Sequence, residues 1–291
     1  VAAQWEFFAS QSTNRLIAIL NNAVERGVDV RLLLDESIEQ NHTAVDLFGA
    51  YGIEAILDSS ESRKVHTKML IFDGEQAIVG STNWSSAALD QNRECNLALR
   101  SGEGPGYLAD WFEQIWEDSG SRVAPDFDQG DGQPARVIVN DEILPSLLER
   151  IDSAVDSIDF TLYATFLQPS NASAPAMQLF SALTNAVARG VEVRGVADYT
   201  DWNPGNNESN QDAVSWLRER GVTMRWDDPQ ANMHAKLFRI DDRVQVQTAN
   251  VSTSGFSNNH EAGAWTENSE ILEDTHDWFE ELWEQSTHIR P

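Results

Sequence analysis

The sequence predicts an α/β protein made of two similar α/β sandwich halves, each with a mixed sheet. Two observations carry this. Strand-like apolar runs alternate with runs of helical period along the 291 residues. Long segments also recur in the same order: NAVERGVDVRLLLD (22–35) matches NAVARGVEVRGVAD (185–198), and WFEQIWE (111–117) matches WFEELWE (278–284). The offset stays between 163 and 168, the signature of an internal duplication.

Taken in order, LIAILNNAVERG reads as an amphipathic helix closing on Gly27, a C-cap signal. VDVRLLLD is a β-branched, apolar strand. KMLIFD and QAIVGS are two strands around an Asp73-Gly74 turn. NLALR is a further strand, and YLADWFEQIWED is a closing helix with its aromatics on one face. Trp111 and Trp116, like Trp278 and Trp283, are at helical spacing and read as core. Residues 120–135, GSRVAPDFDQGDGQPA, read as a linker between a first half at 1–119 and a second at 136–291. The second half opens with a strand (RVIV), a helix (LPSLLERIDSAVD) and a strand (SIDFTLYATF). The first has only AQWEFF before its helix, so it lacks a strand–helix unit, and an exposed sheet edge is expected near its N-terminus.

Composition bounds the function. Apolar residues at 41% and ten tryptophans indicate a packed core. No apolar run reaches the length of a membrane-spanning helix, so a soluble protein compatible with secretion is expected, its cellular location left open. The lone Cys95 excludes an internal disulfide and reads as a small buried residue. Five Asn-x-Ser/Thr sequons, at Asn41, Asn83, Asn171, Asn207 and Asn250, carry little weight. Net charge is −27, with 47 acidic residues and only three lysines among 20 cations. Acidic excess of this kind resembles proteins of extreme halophiles. In about 1 M salt the Debye length shrinks to roughly 3 Å, so net charge excludes no polyanionic substrate.

Two of the three lysines lie in one repeated pattern. HTKMLIFD (66–73) and HAKLFRID (234–241) are both His-x-Lys-x4-Asp. In a strand, residues two apart share a face, so His66 with Lys68, and His234 with Lys236, are presented together. Metal-free attack on a phosphodiester needs a nucleophile, cations for the phosphoryl oxygens and an acid for the leaving alkoxide. Two histidines can divide the first and last roles, since imidazole titrates near neutrality. Lys68 and Lys236 supply the charge. Matched polar positions follow each copy: Ser81 and Asn83, and Thr248 and Asn250, as phosphate-binding donors, then Glu94 and Glu261, which can fix an imidazole tautomer. Neighbouring lysines disfavour a zinc site on the histidines, so no metal or other cofactor is expected. His42, His260, His276 and His288 read as surface or packing residues, with His260 able to line the rim. Trp202, in DYTDWNPGNNES, reads either as a pocket cap touching lipid or as an ordinary solvated loop residue.

HTKMLIFDG…GSTNWSSAALDQNRE and HAKLFRIDD…TANVSTSGFSNNHE resemble the two signature motifs of the phospholipase D superfamily, and the resemblance covers nearly the whole chain. It implies two halves around a pseudo-twofold, one shared active site and a covalent phosphohistidine released by water or an alcohol. It also implies His66 as nucleophile, His234 as acid, and Asp73 and Asp241 in supporting positions. The sequence itself leaves the order of the histidines open. One chain with both motifs implies a monomer that is its own pseudo-dimer. A phospholipid head group is the favoured substrate. A nucleic-acid phosphodiester is the alternative; a cardiolipin-synthase-like transferase and an inactive scaffold are weaker. One departure is Gln247 where the first copy has Gly80, which is expected to alter the backbone's approach to phosphate.

Overall fold

The computed structural model describes residues 1–60 and 62–290. The first half comprises β1 (Ala2–Gln4), α1 (Gln11–Glu25), β2 (Arg31–Leu34), α2 (Glu39–Gly49), β3 (Glu54–Leu57), β4 (Lys68–Phe72), β5 (Gln76–Gly80), α3 (Ser86–Asp90), β6 (Asn96–Leu99) and α4 (Gly104–Glu117). The second begins with β7 (Arg136–Val139) and α5 (Ile143–Ser153). It continues with β8 (Ser157–Leu162), α6 (Pro175–Arg189), β9 (Glu192–Ala197), α7 (Pro204–Arg218), β10 (Thr223–Trp226), β11 (Leu237–Ile240), β12 (Arg243–Gln247), α8 (Thr253–Ser257), β13 (Ala262–Thr266) and α9 (Ser269–Gln285). The sheets run β3-β2-β1-β4-β5-β6 and β10-β9-β8-β11-β12-β13-β7, each mixing parallel and antiparallel pairs. Element for element the orders coincide, save that β7 and α5 have no first-half counterpart.

Local chemistry sets the helix ends. Ser10 caps α1 in a capping box with Thr13, and Gly27 at φ +88° follows its end. Gly190, at φ +97°, closes α6 at the matching place. The segment around Trp202 departs from the loop reading: Asn203 caps α7, which starts at Pro204, so most of DYTDWNPGNNES is helix or its cap. Trp202 itself stands 60% exposed.

The N-terminal strand is not at an edge. β1 lies between β2 and β4, pairing with both, where β8 lies in the second sheet. The edge left by the missing unit is at β6, where β13 has β7. β7 is itself an edge, and Gln129 closes part of it: the side-chain amide accepts from Val137 N at 2.9 Å and donates to Val137 O at 2.8 Å.

The core falls into layers. β4, β5 and β6 with α4 meet β7, β11, β12 and β13 in one apolar layer between the halves, with Trp111 and Phe112 at its centre. Outer layers cover the far sheet faces: α1 and α2 pack on the first sheet, and α5, α6 and α7 on the second. Because α5 has no counterpart, the first sheet is partly bare. Ile19 and Phe72 are 65% and 47% exposed, whereas Ala182 and Ile240, their equivalents, are buried.

Candidate active site

Each His-Lys pair sits just before or at the start of a central strand, and a reciprocal pair of bridges joins it to the other half. Val65 bridges to His260, with His66 N donating to His260 O at 3.1 Å. Met233 bridges to Arg93, with His234 N donating to Arg93 O at 3.0 Å. The segment before each histidine is thus stitched to the segment before the other half's glutamate.

The side chains cross in the same way. His66 Nδ1 lies 2.8 and 3.0 Å from the two carboxylate oxygens of Glu261, and His234 Nδ1 lies 3.0 and 2.9 Å from those of Glu94. An ionised carboxylate only accepts, so each ring carries its proton on Nδ1 and keeps a lone pair on Nε2. Asn259 Nδ2 donates to Glu261 at 3.1 Å, and Asn92 Nδ2 to Glu94 at 3.0 Å. Trp5 meets the His66 ring edge-on at 5.2 Å, and Tyr163 does the same to His234 at 4.4 Å.

Lys68 and Lys236 are buried, each donating from Nζ to the carbonyl of its own histidine. Burial pushes the pKa of Lys68 down to about 8 and that of Lys236 well below its ordinary value, Lys68 adding to the effect on Lys236. Burial also lowers His66 to about 4, with Lys68 and Lys236 contributing. It lowers His234 to about 3, with Lys236 and Lys68 contributing. Each ring therefore feels both lysines, which makes the four groups one electrostatic cluster. Burial alone would raise Glu261 and Glu94, but the histidine each holds and a nearby lysine keep both pKa values below the usual carboxylate range.

Asn83 and Asn250 flank the cluster, and the amide oxygen of each lacks a hydrogen-bond partner. Ser81 and Thr248 depart from the phosphate-binding expectation. Ser81 Oγ accepts from Cys95 N at 2.9 Å beside Glu94; Thr248 Oγ1 accepts from Ala262 N at 3.0 Å and donates to Glu261. Both hydroxyls are buried and engaged with the glutamates and their strands. Asp241 is at the far end of β11, at φ +50°, accepting from the backbone N–H of Val155, Asp156 and Ser157 at 2.9 Å each. Asp73, at φ +54°, occupies the matching turn and is exposed.

Gln247 is offset by a second exchange. Gly80 faces Asn96 across its ladder, and a Cβ there would lie 2.3 Å from Cys95 O. In the second half Gln247 faces Gly263. The glycine has changed strands and the close approach is retained, so the swap concerns ladder packing instead of phosphate. His260 is buried, its Nε2 within 2.6 Å of Ser119 O and its ring against Trp111, so it is a packing residue away from the rim. Cys95 is partly buried, its thiol pushed up to about 12 by burial. Asn41 and Asn207 have their amides bonded to backbone inside the fold.

Sequence reasoning missed the carboxamides of Asn92 and Asn259, though Asn stands two before Glu in both copies. It also missed Asn41 and Asn210, which brace Phe7 with Asp35 and Thr165 with Asp198 in the same geometry. Among the described residues, no group of three or more His, Cys, Asp or Glu side chains is placed to hold a metal ion, and no helix is long and apolar enough to cross a membrane.

A family profile described as cardiolipin synthase, PLD-like domain, matches residues 3–116 and 147–283. The mitochondrial cardiolipin hydrolase of Mus musculus is 31% identical over 112 residues, 38% of this chain and 49% of that protein. A phospholipase D of Rickettsia bellii (strain RML369-C) is 32% identical over 106 residues, 36% of this chain and 50% of that protein. The chain thus spans about half the length of these curated relatives. The crystal structure of phosphatidylserine synthase from Haemophilus influenzae Rd KW20 superposes with a TM-score of 0.75, covering 99% of this chain and 82% of that one. At 8% identity that likeness is one of fold. With the doubled His-x-Lys-x4-Asp pattern, the two matching sheets and a profile spanning most of the residues, the chain belongs to the phospholipase D superfamily, as a protein with a PLD-like domain.

Proposed function

We propose that this chain is a metal-independent phosphodiesterase of the phospholipase D type, with a phospholipid diester as substrate. The crossed pairing of His66 with Glu261 and of His234 with Glu94, around two buried lysines, carries this reading. His66 Nε2 attacks phosphorus and forms a P–N bond as the P–O bond to the leaving alcohol breaks. His234 Nε2–H gives that alkoxide its proton. Neutral His234 then takes a proton from water, whose oxygen attacks phosphorus and breaks the P–N bond. Lys68, Lys236 and the amides of Asn83 and Asn250 hold the phosphoryl oxygens, where charge grows in the transition state. Burial and the lysines keep both rings neutral at ordinary pH. A diester anion between the lysines offsets their repulsion and lets His234 take up its proton, so charging of the acid is linked to substrate binding. In this scheme Glu94 and Glu261 stabilise whichever imidazolium forms, and Asp73 and Asp241 act through the fold.

The relatives named for cardiolipin and phospholipid hydrolysis favour lipid over nucleic acid. Exposed Trp202 and Phe166, on segments at one cavity beside Asn250, suit contact with a lipid surface. The acidic surface is an adaptation to high salt, so the fold is expected to hold best there; greater stability in dilute buffer refutes that adaptation. The test is product release in molar salt with EDTA, offering phosphatidylcholine vesicles and single-stranded DNA in parallel, with His66→Ala as control. Lipid cleavage alone supports the proposal. DNA cleavage alone makes the protein a nuclease, and complete loss with EDTA that zinc or magnesium restores defeats the two-histidine scheme.

A further inference from the structure

One carboxylate at the mouth of the site has no counterpart across the pseudo-twofold. Phe7 forms a parallel bridge with Trp84, and Phe8 N donates to Trp84 O at 2.9 Å. The bridge sets Glu6 beside Asn83 on adjacent segments. Phe7 and Trp84 turn into the core, so alternation turns Glu6 and Asn83 to the other side, toward the cluster. The same bridge in the second half joins Thr165 to Val251 and sets Ala164 beside Asn250. The neighbouring pairs are kept, Trp5 on His66 and Tyr163 on His234, while the next residue changes from Glu to Ala. Glu6 is partly buried, and burial raises its pKa against the pull of Lys68 and Asn83. On the Ala164 side the wall is short: a cavity of about 360 Å³ opens there, lined by Ala164, Phe166, Asn206 and Asn250 among others.

We propose that Glu6 is a specificity-determining residue that reads a cationic, ammonium-bearing substituent on one arm of the phosphodiester, while the other arm lies on the Ala164 side. This deepens the phosphodiesterase reading and rests on it. Lys68 and Lys236 serve the phosphoryl anion, and Glu94 and Glu261 are each held by a histidine. Glu6 is held by neither histidine; Lys68 and Asn83 are beside it, and once the phosphoryl anion takes up Lys68 its carboxylate can face a substrate cation. A neutral arm gains nothing from it, and an anionic arm is repelled. The otherwise two-fold site thereby acquires a direction.

The test compares p-nitrophenyl phosphorylcholine with bis(p-nitrophenyl) phosphate on the wild type, Glu6→Gln and Ala164→Glu. Glu6→Gln should raise KM for the choline ester about ten- to a hundredfold, leave kcat near the wild-type value, and change bis(p-nitrophenyl) phosphate, whose arms are uncharged, less than about threefold. Equal effects on both esters, or none on either, overturn the inference. Ala164→Glu should erode the discrimination by giving the cation a second seat; an unchanged preference counts against it. Calorimetric binding of phosphorylcholine against methyl phosphate needs no turnover. A choline preference lost in Glu6→Gln upholds the role of Glu6 even if hydrolysis fails, and equal binding by both proteins overturns it even if hydrolysis succeeds.

Discussion

The two halves are alike in the histidines, lysines, asparagines and glutamates of the site and unlike at its mouth and in parts of the packing around it. His, Lys, Asn, the supporting Asn and the crossed Glu recur in matching geometry. The β7–α5 unit is present once, Glu6 becomes Ala164, and a glycine moves from Gly80 to Gly263. Chemistry at a two-fold centre needs both contributions, so duplication is retained there. Away from the centre each half has drifted to what its own surroundings tolerate. Matched structure does not mean matched roles, however, because in the proposed turnover one histidine bonds phosphorus and the other moves a proton.

The sharpest way to break the equivalence is to remove one histidine at a time. His66→Asn and His234→Asn should each lower turnover of a phospholipid about 10⁴-fold or more, without additivity in the double variant. A p-nitrophenyl ester separates them, since its leaving group needs no acid. The first turnover of that ester should persist in His234→Asn, seen as a stoichiometric burst of p-nitrophenolate, and vanish in His66→Asn. A burst in His66→Asn instead would exchange the roles, and a burst in neither would argue against a covalent intermediate.

The crossed carboxylates come next. Glu94→Gln and Glu261→Gln should cost about 10²–10⁴-fold in kcat on a poor leaving group. Because Glu94 holds His234, Glu94→Gln should regain much of its first-turnover rate on the p-nitrophenyl ester, and Glu261→Gln should not. If Glu94→Gln instead follows His66→Asn, the crossing seen between the halves does not govern catalysis.

The lysines give a milder, pH-dependent contrast. Lysine is charged below its pKa, and Lys68 is lowered to about 8, so kcat/KM should fall about tenfold per pH unit above that value. His66 is lowered to about 4, and its lone pair is lost only below that pH. On the p-nitrophenyl ester, whose leaving group needs no proton from His234, no limb from either histidine is therefore expected between about 5 and 7. Lys68→Arg should lift the alkaline limb beyond the measured range at reduced kcat; an alkaline limb unchanged by Lys68→Arg would assign it to another group.

Much of this was legible because duplication doubles every signal. A lone His-x-Lys says little, but two copies with Asn and Glu at matched offsets mark one site, and alternating runs marked the sheets. What stayed hidden lies between the copies. Glu94 and Glu261 stand at nearly the same distance from their own histidines, so spacing cannot show that each serves the other half; that follows from how the two sheets pack. The places of Ser81 and Thr248 are not legible either, because a hydroxyl is equally able to bind phosphate or brace a carboxylate. Glu6 was invisible to a reading that trusts repetition, since Ala164 stands opposite. β1 is three residues long, too short for a periodic signal, and its place in mid-sheet follows from pairing with β2 and β4.

The smallest expected effects lie where the halves differ most. α5 covers the outer face of the second sheet, and its own Leu147 is fully buried there. Leu147→Ala should cost about 2–5 kcal/mol, from lost burial and the cavity left behind. On α1, beside the bare part of the first sheet, Ile19 is 65% exposed and already in solvent, so Ile19→Ser should stay within about 0.5 kcal/mol. Urea midpoints at constant m-value measure both. The small value is the more informative. If Ile19→Ser also costs several kcal/mol, that face is covered in solution, and the first half completes its outer layer with something other than its own helices. If it costs almost nothing, the first half is stable without the layer. α5 is then needed only by the second sheet, whose central Phe160 and Phe238 it helps to keep dry.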